Sequence, residues 1–97
     1  MPEVDPEEIE TKEIHALVDL RRKSVLEIGA GDGRFTWRLA QRAKSILALD
    51  PNEPEIKRAR ETAPRKLRSR VRFEVADATT YTYPASRFDV VVLSFSL

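Results

Sequence analysis

The 97-residue sequence predicts an α/β protein built on a parallel sheet of four strands in the order 3-2-1-4, with helices mainly on one face. Short apolar runs typical of buried strands alternate along the chain with segments whose apolar residues recur at helical spacing. Strands separated by helices pair in parallel through right-handed crossovers. The helices that link strands one, two and three therefore share a face, and strand four pairs with strand one.

A first helix is predicted from about residue 6 to Leu20, because Asp5 and Pro6 suit an N-cap and the first helical position. The strand SVLEIG follows at 24–29, and a second helix covers 32–43. This second helix is expected to turn four apolar residues inward: Phe35, Leu39, Ala40 and Ala43.

The second half of the chain continues the alternation. Its predicted elements are, in chain order, the strand SILALD (45–50), a helix over about 53–62, a basic turn or short helix over 64–70, the strand VRFEVAD (71–77) and the strand FDVVVLSFSL (88–97). No helix is expected in the connection ATTYTYPASR (78–87), which is short and contains Pro84. One face of the sheet should then be poorly covered, although parallel sheets are normally buried on both faces.

Composition limits the classes of function. A net charge of +1 gives no overall field that would attract nucleic acid or a membrane. The chain has no cysteine and one histidine, so neither disulfides nor a metal site is expected. The basic residues from Lys57 to Arg72 are accompanied by Glu55, Glu61 and Glu74, and we interpret them as a solvated face. We therefore expect a single cytoplasmic domain over residues 1–97, with neither membrane nor nucleic acid as a partner.

The stretch VLEIGAGDGRFT (25–36) contains the motif with the clearest chemistry. Three alternate glycines follow an apolar strand and precede a helix: Gly29, Gly31 and Gly33. This arrangement lets a ligand approach backbone N–H groups closely. The dinucleotide fingerprint G-x-G-x-x-G would need a glycine where the sequence has Arg34, which argues against NAD. The form present is E-x-G-x-G-x-G, led by Glu27.

Together with acidic residues at two later strand ends, this motif resembles the class I S-adenosylmethionine-dependent methyltransferases. Motif I of that family begins with Asp or Glu, as Glu27 does here, and acidic residues end its second and third strands, as Asp50 and Asp77 do. The resemblance covers essentially the whole chain. It implies a three-layer-type Rossmann-like fold with S-adenosylmethionine or S-adenosylhomocysteine as the cofactor.

The resemblance also implies which residues bind the cofactor. Asp50 would accept hydrogen bonds from the ribose hydroxyls, Asp77 would pair with the adenine amine, and Glu27 would orient the loop. The complete expected set is Glu27, Gly29, Ala30, Gly31, Gly33, Asp50, Pro51, Asp77, Ala78 and Ser94. Thr11 and His15 of the first helix could cap the site. No catalytic residue is predicted.

Structural alternatives exist for these residues. The glycines could form only a tight turn, Asp50 could N-cap the next helix, and Asp77 could be a plain turn residue. Glu27 lies in an apolar strand, where an unpaired charge is costly, so we expect it to have a partner such as a backbone amide of the loop. Trp37 is expected to pack in the core.

A complete domain of this family continues beyond four strands into the region that binds the methyl acceptor. The sequence therefore predicts a truncated or engineered half-domain that binds the cofactor with little or no substrate-specific activity. The alternatives are an active minimal methyltransferase, since methyl transfer can rest on proximity, and a folded fragment without ligand. An apolar fourth strand at the sheet edge also predicts a homodimer that covers this strand and the bare face.

Overall fold

The computed structural model describes residues 19–84 and 88–94. Within them the chain forms, in order, β1 (Ser24–Ile28), α1 (Arg34–Ala40), β2 (Ser45–Asp50), α2 (Glu53–Glu61), a 3₁₀ turn (Arg68–Arg70), β3 (Val71–Val75) and β4 (Val90–Leu93). The strands form one parallel sheet in the order β3-β2-β1-β4, which confirms the predicted topology. The predicted first helix, with Thr11 and His15, lies outside the described residues except for its last two positions, which are not helical.

The residue at the N-cap position sets where each of the two described helices begins. α1 starts at Arg34 rather than at residue 32, because Gly33 occupies its N-cap with a left-handed φ of 85°. α2 follows Asn52, whose side chain accepts a hydrogen bond from Glu55 N at 3.1 Å. Asn52, and not Asp50, is therefore the N-cap of α2. Neither of these helices is long and apolar enough to cross a membrane.

One face of the sheet is covered by both helices. The four residues of α1 and its C-terminal turn that were expected to face inward are all buried, which confirms that prediction. Ile56 and Ala59 of α2 and Phe73 of β3 belong to the same buried cluster between the helices and the sheet. Trp37 packs edge-to-face on Phe73 with ring centroids 5.3 Å apart, so its expected packing function is confirmed.

The opposite face carries a smaller cluster, formed by Leu26, Leu47 and Leu49. The segment after β3 covers part of it without forming a helix over 76–84, and Tyr81 and Phe88 pack against the three leucines. Within the described part of the chain this cover does not extend to the outer residues of β4. Val91 and Leu93 are 56% and 64% exposed, so the prediction of a poorly covered face holds for the β4 side of the sheet.

Candidate functional site

The carboxyl ends of the parallel strands meet at one edge of the sheet and bring together residues from four separate segments. The loop Gly29–Gly33 follows β1, Asp50 ends β2, and Asp77 follows β3. Ser94 follows β4, and its N–H donates to Ile28 O at 2.8 Å, which ties the end of β4 to the start of the loop. In parallel α/β sheets this edge is where ligands bind.

The loop has the left-handed backbone that its glycines suggested. Gly29, Gly31 and Gly33 have φ values of 82°, 58° and 85°, a region that other residues enter at a cost. The N–H groups of Gly29 and Ala30 both donate to Leu49 O, at 2.9 and 3.0 Å. These two bonds turn the loop across the end of β2, towards Asp50.

The second and third glycines have different surroundings. A Cβ atom added at Gly33 would lie 3.1 Å from both Ala59 Cβ and Phe73 Cζ. Gly33 therefore lets the start of α1 approach α2 and β3. A Cβ atom at Gly31 would meet nothing closer than Glu55 Oε2, at 3.8 Å. Gly31 thus has open space beside it at the strand edge, whereas Gly33 is packed against protein.

Asp50 holds the loops after β1 and β2 together. Its Oδ2 accepts a hydrogen bond from Gly31 N at 2.9 Å, and its Oδ1 accepts one from Asn52 N at 2.8 Å. Each carboxylate oxygen has two lone pairs, so both oxygens keep acceptor capacity for a ligand hydroxyl. Asp50 is half-buried, and the adjacent Pro51 is exposed.

Glu27 is a fully buried carboxyl group on the helix-covered face of β1. The Thr36 hydroxyl of α1 donates a short hydrogen bond to its Oε1. This hydroxyl, rather than the loop amide that we expected, is its partner. Thr36 was missed by sequence analysis, because one threonine beside the apolar Phe35 on a helix gives no clear signal for a distant partner.

The environment of Glu27 leaves two polar atoms unsatisfied. Burial raises the pKa of Glu27 above its ordinary value, the Thr36 and Ser94 hydroxyls offset part of this effect, and the charge of Asp50 adds to it. Ser94 is close enough to influence that pKa without completing a hydrogen bond. Among the described residues, Glu27 Oε2 and Ser94 Oγ are buried atoms with no hydrogen-bond partner.

Asp77 lies at the same edge but is held in a turn. Its Oδ1 accepts hydrogen bonds from the Thr79 hydroxyl at 2.7 Å and from Thr79 N at 2.8 Å, and these bonds lower the pKa of Asp77. Asp77 therefore uses one carboxylate oxygen as an ordinary turn residue would, while no described residue bonds to the other oxygen. Ala78 packs against the second apolar cluster.

An apolar side chain that sequence analysis did not single out adds to this edge. Val75 is paired in register with Asp50 and is 42% exposed. The site thus combines charged acceptors, open space at Gly31, partnerless buried polar atoms and apolar surface. This combination fits a ligand with hydroxyl and amino groups and a flat apolar part, as S-adenosylmethionine has.

Comparison with known proteins assigns the family. Residues 25–97 match the profile of the methyltransferase domain family. The chain belongs to this family. It is 34% identical over 84 residues to an uncharacterized methyltransferase of Mycobacterium tuberculosis, a match that covers 87% of this chain and 41% of that relative.

Solved methyltransferase structures have the same fold. Phosphoethanolamine N-methyltransferase 1 of Haemonchus contortus, in complex with phosphoethanolamine and S-adenosylhomocysteine, is 30% identical with a TM-score of 0.75, over 90% of this chain and 18% of that one. An S-adenosylmethionine-dependent methyltransferase of Mesorhizobium loti is 25% identical with a TM-score of 0.71, over 90% of this chain and 38% of that one. The chain spans less than half the length of each of these proteins.

Proposed function

We propose that this chain binds S-adenosylmethionine or S-adenosylhomocysteine at the carboxyl edge of its sheet. The observation that carries the proposal is the Asp50 carboxylate, which is bonded to Gly31 N beside the open part of the loop. The buried Glu27 Oε2 supports it, because no described residue bonds to this atom and a ligand would supply the missing hydrogen-bond partner. The complex of the Haemonchus enzyme with S-adenosylhomocysteine gives independent support.

Each side chain would have a distinct function in binding. Asp50 would accept hydrogen bonds from ribose hydroxyls, and the free oxygen of Asp77 would accept one from the adenine amine. Glu27 and Ser94 would receive the polar end of the methionine part, whose ammonium group would favour the ionised form of Glu27. The remaining residues assigned to the site are Gly29, Ala30, Gly31, Gly33, Pro51 and Ala78. When bound, S-adenosylmethionine supplies an activated methyl group.

We further propose that this chain acts as a cofactor-binding half-domain and transfers methyl groups slowly or not at all. Each of the three site carboxylates has at least one oxygen hydrogen-bonded within the protein, to Thr36, Gly31 N or Thr79, and the remaining acceptor capacity is assigned above to the cofactor rather than to a methyl acceptor. Incubation with radiolabelled S-adenosylmethionine and small amine, thiol and hydroxyl acceptors tests this. Methyl transfer well above the uncatalysed rate would favour the alternative of a minimal methyltransferase that works by proximity.

Titration calorimetry with S-adenosylhomocysteine tests the binding proposal. Asp50→Asn should weaken binding by about 1–3 kcal/mol, roughly 5- to 150-fold, because charge-assisted hydrogen bonds to the ribose are lost. Asp19→Asn removes an exposed carboxylate, paired with Arg21 among the described residues and remote from the assigned site residues in the sequence, and should leave the affinity unchanged. Circular dichroism verifies that both variants fold. Equal affinity of wild type and Asp50→Asn would contradict the ribose assignment, and no binding by the wild type would overturn the proposed function.

We also propose that the chain forms a homodimer through β4 and the bare part of the sheet. Among the described strands β4 is at an edge, and two of its own side chains, Val91 and Leu93, are exposed on the face opposite the helices. Sedimentation velocity at micromolar concentration should show a dimer, and Leu93→Lys should shift it towards monomer. A stable wild-type monomer would contradict this proposal.

A further inference from the structure

A basic segment occupies the side of the molecule next to β3. From Lys57 to Arg72 the chain has eight Lys or Arg residues and one acidic residue, Glu61. All eight basic residues are exposed. The sequence suggested an ordinary solvated face, but the structure places three of these cations around an aromatic groove.

The groove lies along β3, which is an edge strand among the strands that the structure describes, and has a volume of about 380 Å³. Trp37 and Phe73, in edge-to-face contact, line it, and Trp37 is partly exposed. Three consecutive elements each contribute a cation to the lining: Arg60 from α2, Arg68 from the 3₁₀ turn and Arg72 from β3. One carboxylate, that of Glu74, also lines the groove, so the three cations leave it with an excess of positive charge. Cationic side chains beside an aromatic surface form the combination that binds nucleotides by charge and stacking.

The cations differ in how far the protein already uses them. Arg60 donates to Phe73 O at 2.6 Å and so holds the end of α2 against the edge strand. Arg72 pairs with Glu74 at 2.6 Å, but this pair is solvent-exposed on the arginine side and is therefore weak. Arg68 has no ion pair or hydrogen bond from its side chain to any residue in the described part of the chain. Arg68 and Arg72 are therefore available to an external anion.

We propose that this groove binds single-stranded nucleic acid, with phosphates on Arg68 and Arg72 and a base against Trp37. A membrane surface fits less well, because none of the large exposed apolar side chains that the structure describes lines the groove. An acidic peptide would use the cations but not the aromatic wall. None of the residues assigned to S-adenosylmethionine lines this groove, although Gly33 packs against Phe73, so the proposal does not depend on cofactor binding.

Fluorescence anisotropy with labelled oligouridylate over a range of salt concentrations tests the proposal. The double variant Arg68→Gln/Arg72→Gln should weaken binding at low salt about tenfold or more, and should reduce the slope of log K against log salt by roughly 0.7 per lost phosphate contact. The control Arg22→Asn/Lys23→Gln removes two exposed cations before β1 and should change neither quantity appreciably. Asn is chosen at position 22 because Arg22 has a φ of 63°, which Asn tolerates.

Two further measurements separate this site from a general basic surface. Trp37 is the only tryptophan of the chain, so oligouridylate should quench the intrinsic tryptophan emission, and poly-glutamate should not. Equal loss of affinity in the double variant and the control, or competition by poly-glutamate as effective as by oligouridylate, would overturn the proposal. Calorimetry with S-adenosylhomocysteine should give equal affinities for the double variant and the wild type, which keeps failure here distinct from failure of the cofactor site.

Discussion

Leu39 of α1, which packs against the helix-covered face of the sheet, is fully buried, whereas Leu93 of β4, on the opposite face, is 64% exposed. The same four strands form both faces, so the difference comes from what covers them. The helices pack over one face, while the short segment after β3 covers only part of the other. Buried apolar area, and with it the free energy of folding, is therefore concentrated on the helix-covered face.

The candidate site depends on the helix-covered face. Glu27 points into it from β1 and meets Thr36 of α1, and Gly33 is packed between α1, α2 and β3. The geometry of the loop is consequently set by core packing on that face. On the opposite face Val91 and Leu93 are exposed, and the proposed dimer would cover them.

The largest expected loss of stability comes from a substitution in the core under the helix-covered face. Leu39→Ala should lower the free energy of unfolding by about 2–5 kcal/mol, because it removes a fully buried side chain and leaves a cavity. Leu93→Ala, the matched change on the open face, should alter it by no more than about 0.5 kcal/mol in dilute monomer. Urea denaturation measures both. Equal losses would show that the open face is covered in solution.

A second pair of variants compares the two glycines. Gly33→Ala should destabilise by about 3 kcal/mol, since a left-handed backbone costs roughly 1–2 kcal/mol and the tight contacts with Ala59 and Phe73 add a similar amount. Gly31→Ala should lower the free energy of unfolding only by the cost of the left-handed backbone. It should also weaken binding of S-adenosylhomocysteine, which calorimetry measures. The opposite ranking of stabilities would mean that Gly33 is not a packing position.

A third comparison concerns the pH dependence of stability that the buried Glu27 causes. Because its pKa is raised in the folded state, the folded protein holds a proton that the unfolded chain releases as the pH rises above about 4.5. The stabilising contribution of protonated Glu27 is therefore fully present below about pH 4.5. It is lost at about 1.4 kcal/mol per pH unit until the raised pKa is reached.

Glu27→Gln keeps an acceptor for Thr36 without the charge, so it should flatten this dependence. Urea denaturation between pH 5 and 8 gives the comparison, with Asp19→Asn as the control for an exposed carboxylate. A wild-type profile that is as flat as that of Glu27→Gln would show that Glu27 is ionised and compensated in the folded state.

Most of the fold could be predicted, whereas the site could be predicted only in part. The strand order followed from the alternation of apolar runs and helical segments, and the inward residues of α1 followed from their spacing. Strand lengths were overestimated where the structure describes them: β3 ends at Val75 rather than at residue 77, and β4 begins at Val90 rather than at residue 88, while its predicted end lies outside the described residues. Asn52 was missed as a cap, because both Asp50 and Asn52 precede the helix and have suitable side chains.

The sequence by itself determined the parallel sheet, the glycine loop and the acidic residues at the strand ends, since these depend on periodicity and on residues near one another in the chain. Only the tertiary structure decided that Thr36 bonds to Glu27, that Asp50 bonds to Gly31, and that cations of three elements surround Trp37. The physical reason is distance along the chain. A hydrogen bond or a shared groove needs atoms placed to within a few tenths of an ångström, and packing of whole elements, not local pattern, sets those positions.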